Sequence, residues 1–148
     1  MNEEYKQALA AALRLISHHD RTELEVRNKL SDKNFPGEII DAVTEQLISE
    51  SFINDRRYAE YYITCYSGKR SKRRIMMDLA NKGISQDIIS EYIDECDNNA
   101  AVMKAYRKQL IKRGISEDDD IDRKDIEKIA ASLYRQGFST DDIRSCFP

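Results

Sequence analysis

Hydrophobic residues recur along the chain at the spacing of an amphipathic α-helix. In the first segment they fall at the positions Ala8, Leu9, Ala12, Leu13 and Ile16. This spacing places the side chains along one stripe of a helix, which can face a core. Similar stripes, separated by short polar breaks, continue to the end of the chain. The pattern therefore predicts an all-α fold with about nine helices.

Residues that favour helix ends stand at the breaks between the stripes. Thr22, with Glu25 three residues later, has the spacing of a capping box and predicts the start of a second helix. Asn34 tolerates the left-handed conformation and predicts the end of that helix. Pro36 predicts the start of a third helix, since its missing N–H costs little there. The predicted helices are short, so we expect none of them to be stable alone.

The predicted helices fall into three similar groups. Val26, Leu30, Asn34, Phe35 and Ile40 align at an offset of 49 residues with Ile75, Leu79, Gly83, Ile84 and Ile89. At an offset of 54 residues from this second set, a third set has the same spacing: Ile129, Leu133, Gly137, Phe138 and Ile143. We predict three tandem three-helix repeats at 1–53, 54–98 and 99–148, with an acidic insert near 116–122. Units this small close only a small core, so we expect them to stack into an elongated, curved rod. A compact bundle is the alternative.

Composition and charge exclude several classes of protein. The 148 residues carry 24 basic and 27 acidic side chains, so the net charge of −3 does not by itself indicate nucleic-acid binding. No apolar run approaches the roughly 18 residues of a membrane span. The acidic N-terminus also lacks the apolar core of a signal peptide. We therefore expect a cytoplasmic protein with no membrane partner.

No arrangement of residues predicts catalysis. His18 and His19 are adjacent, so on a helix their side chains point about 100° apart and cannot share a metal ion. The chain has no nucleophile elbow, phosphate-binding loop or zinc-protease motif. The acidic run at 117–122 lacks the glycine and the final glutamate of a calcium loop. We expect no enzyme activity, no cofactor, no metal and no small-molecule substrate.

Positive charge is concentrated in two segments, each with five basic residues and no acidic one. The first, at 69–74, contains Lys69, Arg70, Lys72, Arg73 and Arg74; the second, at 104–113, contains Lys104, Arg107, Lys108, Lys112 and Arg113. Such stripes suit an anionic partner, because releasing the counterions condensed on phosphates favours binding. An acidic protein groove would fit equally well, and either segment could instead be a solvated helix face.

Other side chains bear on the kind of nucleic-acid contact. No set of Asn, Gln and Arg at base-reading spacing stands out, so a contact to DNA would be to its backbone and without sequence preference. Tyr58, Tyr62 and Tyr66 follow a helical spacing and are predicted to lie in the core. Tyr61 points elsewhere and could stack on a base.

Three stretches of the chain resemble the bacterial RecX regulatory proteins. The stretches are 20–24 with Lys29, Leu30 and Phe35; 52–59; and Arg74 and Ile75 with Asp78, Leu79 and 82–84. Together they extend the resemblance over roughly residues 6–148. Asn34, Ser51 and the segment just before Arg74 depart from the family pattern, which has glycine there.

The resemblance implies a fold of tandem three-helix repeats and a role in DNA recombination, DNA repair and the SOS response. It implies a non-enzymatic modulator of the RecA recombinase that lies in the groove of the RecA–DNA filament and mainly inhibits its ATPase and strand exchange. The expected partners are then the RecA nucleoprotein filament and the backbone of single- or double-stranded DNA. By analogy, the 69–74 cations are the primary contacts and those at 104–113 come second. A stand-alone, sequence-neutral DNA-binding module is the alternative.

If these cations face a partner, they should be exposed in the free protein. Exposed charges contribute little to folding. We therefore expect reversing the charges of Arg70 and Arg73 to weaken filament binding and to leave the melting temperature nearly unchanged.

Overall fold

The computed structural model describes residues 2–147, which form nine α-helices and no strand. The helices are α1 Glu3–His18, α2 Glu23–Asp32, α3 Gly37–Ser49, α4 Asp55–Tyr66, α5 Lys72–Asn81, α6 Gln86–Tyr92, α7 Asn98–Arg113, α8 Arg123–Arg135 and α9 Thr140–Arg144. A single turn of 3-10 helix, Ile93–Glu95, follows α6. The prediction of an all-α fold with nine helices is confirmed.

The helix ends predicted from the sequence are present. Thr22 Oγ1 accepts a hydrogen bond from the Glu25 N–H at 3.2 Å, and Glu25 Oε1 accepts one from the Thr22 N–H at 3.0 Å, so the capping box is formed. Pro36 precedes the first residue of α3. Asn34 has a φ of 67°, in the left-handed region that favours glycine or asparagine.

Two groups of three helices each surround a core of their own. Helices α1, α2 and α3 bury Ala8, Ala12, Val26, Leu30, Ile40, Val43 and Leu47, together with Ile53 just beyond α3. Helices α7, α8 and α9 bury Ala101, Val102, Ala105, Tyr106, Leu110, Ile129, Leu133 and Ile143, together with Phe138 and Cys146. Burying each large aliphatic side chain contributes about 1.5–3 kcal/mol. These cores are therefore what holds short helices in place.

The chain divides into two compact units. The first comprises Met1–Tyr61 and Leu79–Ile89, and the second comprises Tyr62–Asp78 and Ser90–Pro148. Helices α4 and α5 thus contribute residues to both units. The division into repeats at 1–53, 54–98 and 99–148 stays a prediction.

In the first unit a buried hydroxyl joins α2 to the end of α5. Thr22 is completely buried, and its Oγ1 donates to the Lys82 carbonyl oxygen at 2.6 Å while it caps α2. Beside it, the Glu23 N–H donates to Asp55 Oδ1, at the start of α4, at 3.0 Å. Both bonds satisfy polar groups that would otherwise be costly to bury.

The second unit repeats this joint with different residues. Ser71 is 2% exposed; its Oγ accepts from the Arg74 N–H at 3.1 Å and donates to the Gln136 carbonyl oxygen at 2.9 Å. The Lys72 N–H donates to Asn98 Oδ1, at the start of α7, at 3.0 Å. Thr22 and Ser71 are 49 residues apart, which is the offset between the first and second repeats. Lys82 and Gln136 are 54 residues apart, which is the offset between the second and third. The tandem repeat is therefore visible in hydrogen bonds as well as in sequence.

A glycine follows each of the carbonyls that close these joints. Gly83 and Gly137 have φ values of +87° and +99°, and a Cβ there would lie 2.5 Å from the Leu24 Cβ and 2.6 Å from the Ser71 Oγ. Asn34 is the equivalent residue of the first group, has positive φ, and is exposed. All three groups thus share the left-handed turn, while the close approach explains why two of them have glycine.

We expect Thr22→Val to lower the free energy of unfolding by about 2–3 kcal/mol, because it removes a helix cap and leaves the partly buried Lys82 carbonyl without this donor. Thr22→Ser is the matched control and should cost about 1 kcal/mol or less, since it loses only a methyl group. Urea denaturation of both variants measures the difference. Equal losses would contradict a role for the hydroxyl.

We expect Gly83→Ala to destabilise the protein more than Gly114→Ala. Gly114 also has positive φ, at +70°, but a Cβ there would meet nothing within 4 Å. Gly114→Ala should therefore show only the left-handed strain of about 1–2 kcal/mol. Gly83→Ala should add about 1–3 kcal/mol for the clash with Leu24. Thermal and urea unfolding test this, and similar losses for the two variants would show that the joint relaxes freely.

Candidate functional site

All ten cations predicted to contact a partner lie in the second compact unit. Lys69 and Arg70 are in the connection between α4 and α5, and the other three cations of the first segment lie in the first turn of α5. The second segment lies on α7, where Lys104, Lys108 and Lys112 are four residues apart on one continuous helix. Residues four apart lie on the same helix face, as the predicted stripe requires.

Five of these cations are available to a partner. Lys69, Arg73, Lys104, Lys108 and Lys112 are exposed and form no ion pair with any residue that the structure describes. A cation of this kind can approach a phosphate or a carboxylate without breaking a contact inside the protein. These five are therefore the best candidates for intermolecular contact.

Arg70 departs from the expectation that these cations are exposed. Its side chain is 29% exposed, and Nη1 lies 2.9 Å from Asp78 Oδ2 and 2.8 Å from the Tyr62 Oη. The guanidinium carbon also lies 3.9 Å from the centroid of the Tyr66 ring, a cation–π contact. Arg70 therefore connects α4 to α5, and reversing its charge would disturb the fold as well as any partner contact.

The three tyrosines that were predicted to lie in the core are only partly buried. Tyr58, Tyr62 and Tyr66 are each half-buried, so the prediction that they lie in the core holds only in part. Burial, followed by the hydrogen bond to Asp78, raises the pKa of Tyr62 well above its usual range. Tyr62 therefore keeps its proton and donates to Asp78 Oδ2 at 2.9 Å.

The remaining four predicted cations have partners or are partly covered. Lys72 pairs with Asp94 at 3.0 Å, Arg107 with Glu117 at 3.0 Å, and Arg74 approaches Asp78 at 3.9 Å. Pairs on an exposed surface contribute little, about 0–1 kcal/mol, so an anionic partner can replace them at small cost. Arg113 is half-buried, and its Nε is buried without a hydrogen-bond partner among residues 2–147.

A groove in the same unit contains an exposed aromatic ring that the sequence patterns did not single out. Tyr134, on α8, is 61% exposed. The ring borders a groove of about 300 Å³ that is lined by Lys72, Arg73, Met76, Asn98, Tyr134, Phe138, Ser139 and Asp142. Only the position of Tyr134, one residue beyond the buried Leu133, hinted that it leaves the apolar stripe. Tyr61, which the sequence did single out, is 70% exposed.

Neither a metal site nor a membrane span is present in the described part of the chain. Residues 2–147 contain no group of three or more His, Cys, Asp or Glu side chains that could hold a metal ion. None of their helices is long and apolar enough to cross a membrane.

Comparison with known proteins identifies the class of this repeat fold. The family model for the first three-helix domain of RecX matches residues 8–47, and the model for the second three-helix domain matches residues 54–93. The crystal structure of RecX from Lactobacillus salivarius superposes with a TM-score of 0.80 at 27% identity, covering 99% of this chain and 96% of that one. The protein thus has the all-helical fold of three-helix domains that defines this class.

Curated relatives place the chain within that class. The regulatory protein RecX of Clostridium acetobutylicum is 33% identical over 144 residues, which cover 95% of this chain and 67% of the relative. That of Chlorobium phaeobacteroides is 31% identical over 141 residues, covering 94% and 90%. The chain belongs to the RecX family of regulatory proteins, and the resemblance seen in its motifs is confirmed.

We expect Arg70→Gln to lower the free energy of unfolding by about 1–2 kcal/mol, because it removes charge-assisted hydrogen bonds to the half-buried Asp78 carboxylate and to the Tyr62 hydroxyl. Arg73→Gln is the matched control, three residues away and exposed, and should change stability by less than about 0.5 kcal/mol. Urea denaturation at neutral pH compares them. If the two variants are equally stable, Arg70 is not a structural residue.

Proposed function

We propose that this protein is a non-enzymatic regulator that binds the RecA–DNA filament and limits its ATPase and strand-exchange activity during recombination and repair. Membership of the RecX family carries this proposal, because the relatives match along nearly the whole chain. The proposed partners are the RecA filament and the DNA backbone within it. RecA acts on DNA in the bacterial cytoplasm, so we propose the same location for this protein.

The free cations support a docking role. The filament carries DNA phosphates, and five unpaired cations in one compact unit can meet several of them or neighbouring carboxylates. Each such contact is weak alone, but contacts made by one molecule at adjacent sites add up to a much tighter association. Lysines predominate among the five, and lysine contacts phosphate as a point charge without reading sequence. The proposed contact is therefore insensitive to DNA sequence.

Inhibition requires more than tight binding. A ligand shifts a conformational equilibrium only by the difference between its affinities for the two states. The protein would therefore bind one arrangement of the filament more tightly than the arrangement needed for ATP turnover. No chemical step by this protein is needed, and we propose neither a cofactor nor a small-molecule substrate for it.

A stand-alone DNA-binding module is the second candidate. It is supported by the same five free cations, because they would suit bare DNA as well as a filament. The two candidates differ in stoichiometry. A regulator can inhibit when far less protein is present than would be needed to cover the DNA, whereas a DNA-binding module inhibits only by occupying DNA.

We expect a Lys104→Gln, Lys108→Gln, Lys112→Gln variant to need about tenfold more protein to half-inhibit the RecA ATPase on single-stranded DNA, because up to three phosphate contacts are lost. The matched control neutralises three exposed lysines of the first unit, as Lys6→Gln, Lys29→Gln and Lys33→Gln, and should inhibit like the wild type. The dependence of wild-type inhibition on log salt should also be steeper than that of the α7 variant.

The same titration separates the two candidate functions. Wild-type protein should inhibit when it is substoichiometric to the DNA sites. Inhibition that follows only the fraction of DNA covered would reject the regulator and retain the DNA-binding module. Equal effects of the two triple variants would show that α7 is not the contact surface.

A further inference from the structure

The exposed ring of Tyr134 borders the same groove as a free cation, Arg73. Helix α8 buries Ile129 and Leu133 completely, and Tyr134 follows Leu133 by one residue, which turns its side chain about 100° away from the core. The ring is 61% exposed, and no described residue forms a hydrogen bond with its hydroxyl. Its apolar face is therefore available to another flat group.

The groove beside Tyr134 has one cationic side. Arg73 and Lys72, on the first turn of α5, line it together with Met76. Lys72 Nζ is paired with Asp94 at 3.0 Å, so Arg73 is the cation free to meet a ligand. Arg73, Met76 and Tyr134 thus combine a guanidinium, a polarizable apolar side chain and an aromatic face along one groove.

The groove also contains one acidic side chain, Asp142, which already has hydrogen-bond partners. Asp142 Oδ2 accepts hydrogen bonds from Asn98 Nδ2 at 2.9 Å and from the Ser139 N–H at 3.1 Å. Burial raises the pKa of Asp142, but these hydrogen bonds outweigh it and hold the pKa below its usual value. Asp142 therefore stays ionised and would repel phosphate, so Arg73 is the lining residue that a phosphate would contact.

We propose that Tyr134 stacks on an unpaired base of single-stranded DNA while Arg73 contacts the adjacent phosphate. An aromatic face next to a cation is the arrangement that holds single strands without reading their sequence. The bases of a duplex are stacked on one another and offer no free face, so this site prefers single strands. This inference deepens the proposed function and rests on it for the choice of DNA as ligand, since a RecA filament forms on single-stranded DNA.

The test measures binding of the full chain to three labelled ligands by fluorescence anisotropy, without RecA. The ligands are an oligothymidylate, an abasic oligomer of the same length, and a duplex. Wild-type protein should bind the oligothymidylate more tightly than the abasic oligomer. Tyr134→Ala should weaken oligothymidylate binding about tenfold, within the range for loss of one base stack. Its binding to the abasic oligomer and to the duplex should be nearly unchanged.

Three control variants separate stacking from other contacts. Tyr134→Phe keeps the ring and should bind like the wild type, whereas Tyr134→Leu keeps only apolar bulk and should resemble Tyr134→Ala. Arg73→Gln removes the phosphate contact and should weaken binding to the oligothymidylate and the abasic oligomer alike. Tyr61→Ala changes the other strongly exposed tyrosine, in the first unit, and should have no effect. Melting curves of all variants establish that they are folded.

Several outcomes would overturn the inference: no preference of the wild type for oligothymidylate over the abasic oligomer, an unchanged Tyr134→Ala, or a Tyr134→Leu that binds like the wild type. A loss in Tyr61→Ala alone would assign the stacking to that residue instead.

The RecA ATPase assay distinguishes failure of the stacking from failure of the proposed regulatory function. If the wild type inhibits RecA and Tyr134→Ala still binds oligothymidylate normally, the regulator stands and the stacking fails. If Tyr134→Ala loses binding to the oligothymidylate but the wild type does not inhibit RecA, the stacking stands and the regulator fails.

Discussion

A buried hydroxyl at the start of a repeat's second helix joins that helix to the following repeat. Thr22 and Ser71 each cap their own helix and donate to a carbonyl near the end of the equivalent helix one repeat later. A hydroxyl can do both because it accepts and donates at once. A small three-helix core is marginal alone, so these joints give each compact unit a larger cooperative structure than three short helices would form.

The cations on the two sides of Ser71 differ in role. One stabilises the fold, and the other is free to contact a partner. Arg70, just before Ser71, is held by Asp78, Tyr62 and the face of Tyr66. Arg73, two residues beyond Ser71, is exposed and unpaired within the described residues. A change of charge at a structural arginine acts through stability, while one at a free arginine acts through binding. Experiments on this family's basic segments have to distinguish the two.

Much of the fold could be predicted from the sequence, because apolar periodicity and caps are local signals. The stripe beginning at Ala8, the capping box at Thr22 and the turn at Asn34 all depend on neighbours only a few residues away. The pairing of Arg70 with Asp78 and Tyr62 could not be predicted, since a run of five cations shows charge but not which members turn inward. Tyr134 was missed for the same reason: its exposure follows from where α8 packs. The elongated, curved shape and the contact residues stay predictions.

If the proposed function is right, the protein docks on a RecA filament rather than on DNA alone. Co-sedimentation can distinguish these, with the same single-stranded DNA bare or assembled with RecA, at one salt concentration. We expect more protein to pellet with the filament than with bare DNA, in proportion to the filament present. Equal sedimentation with both, or pelleting with bare DNA that RecA reduces, would contradict it.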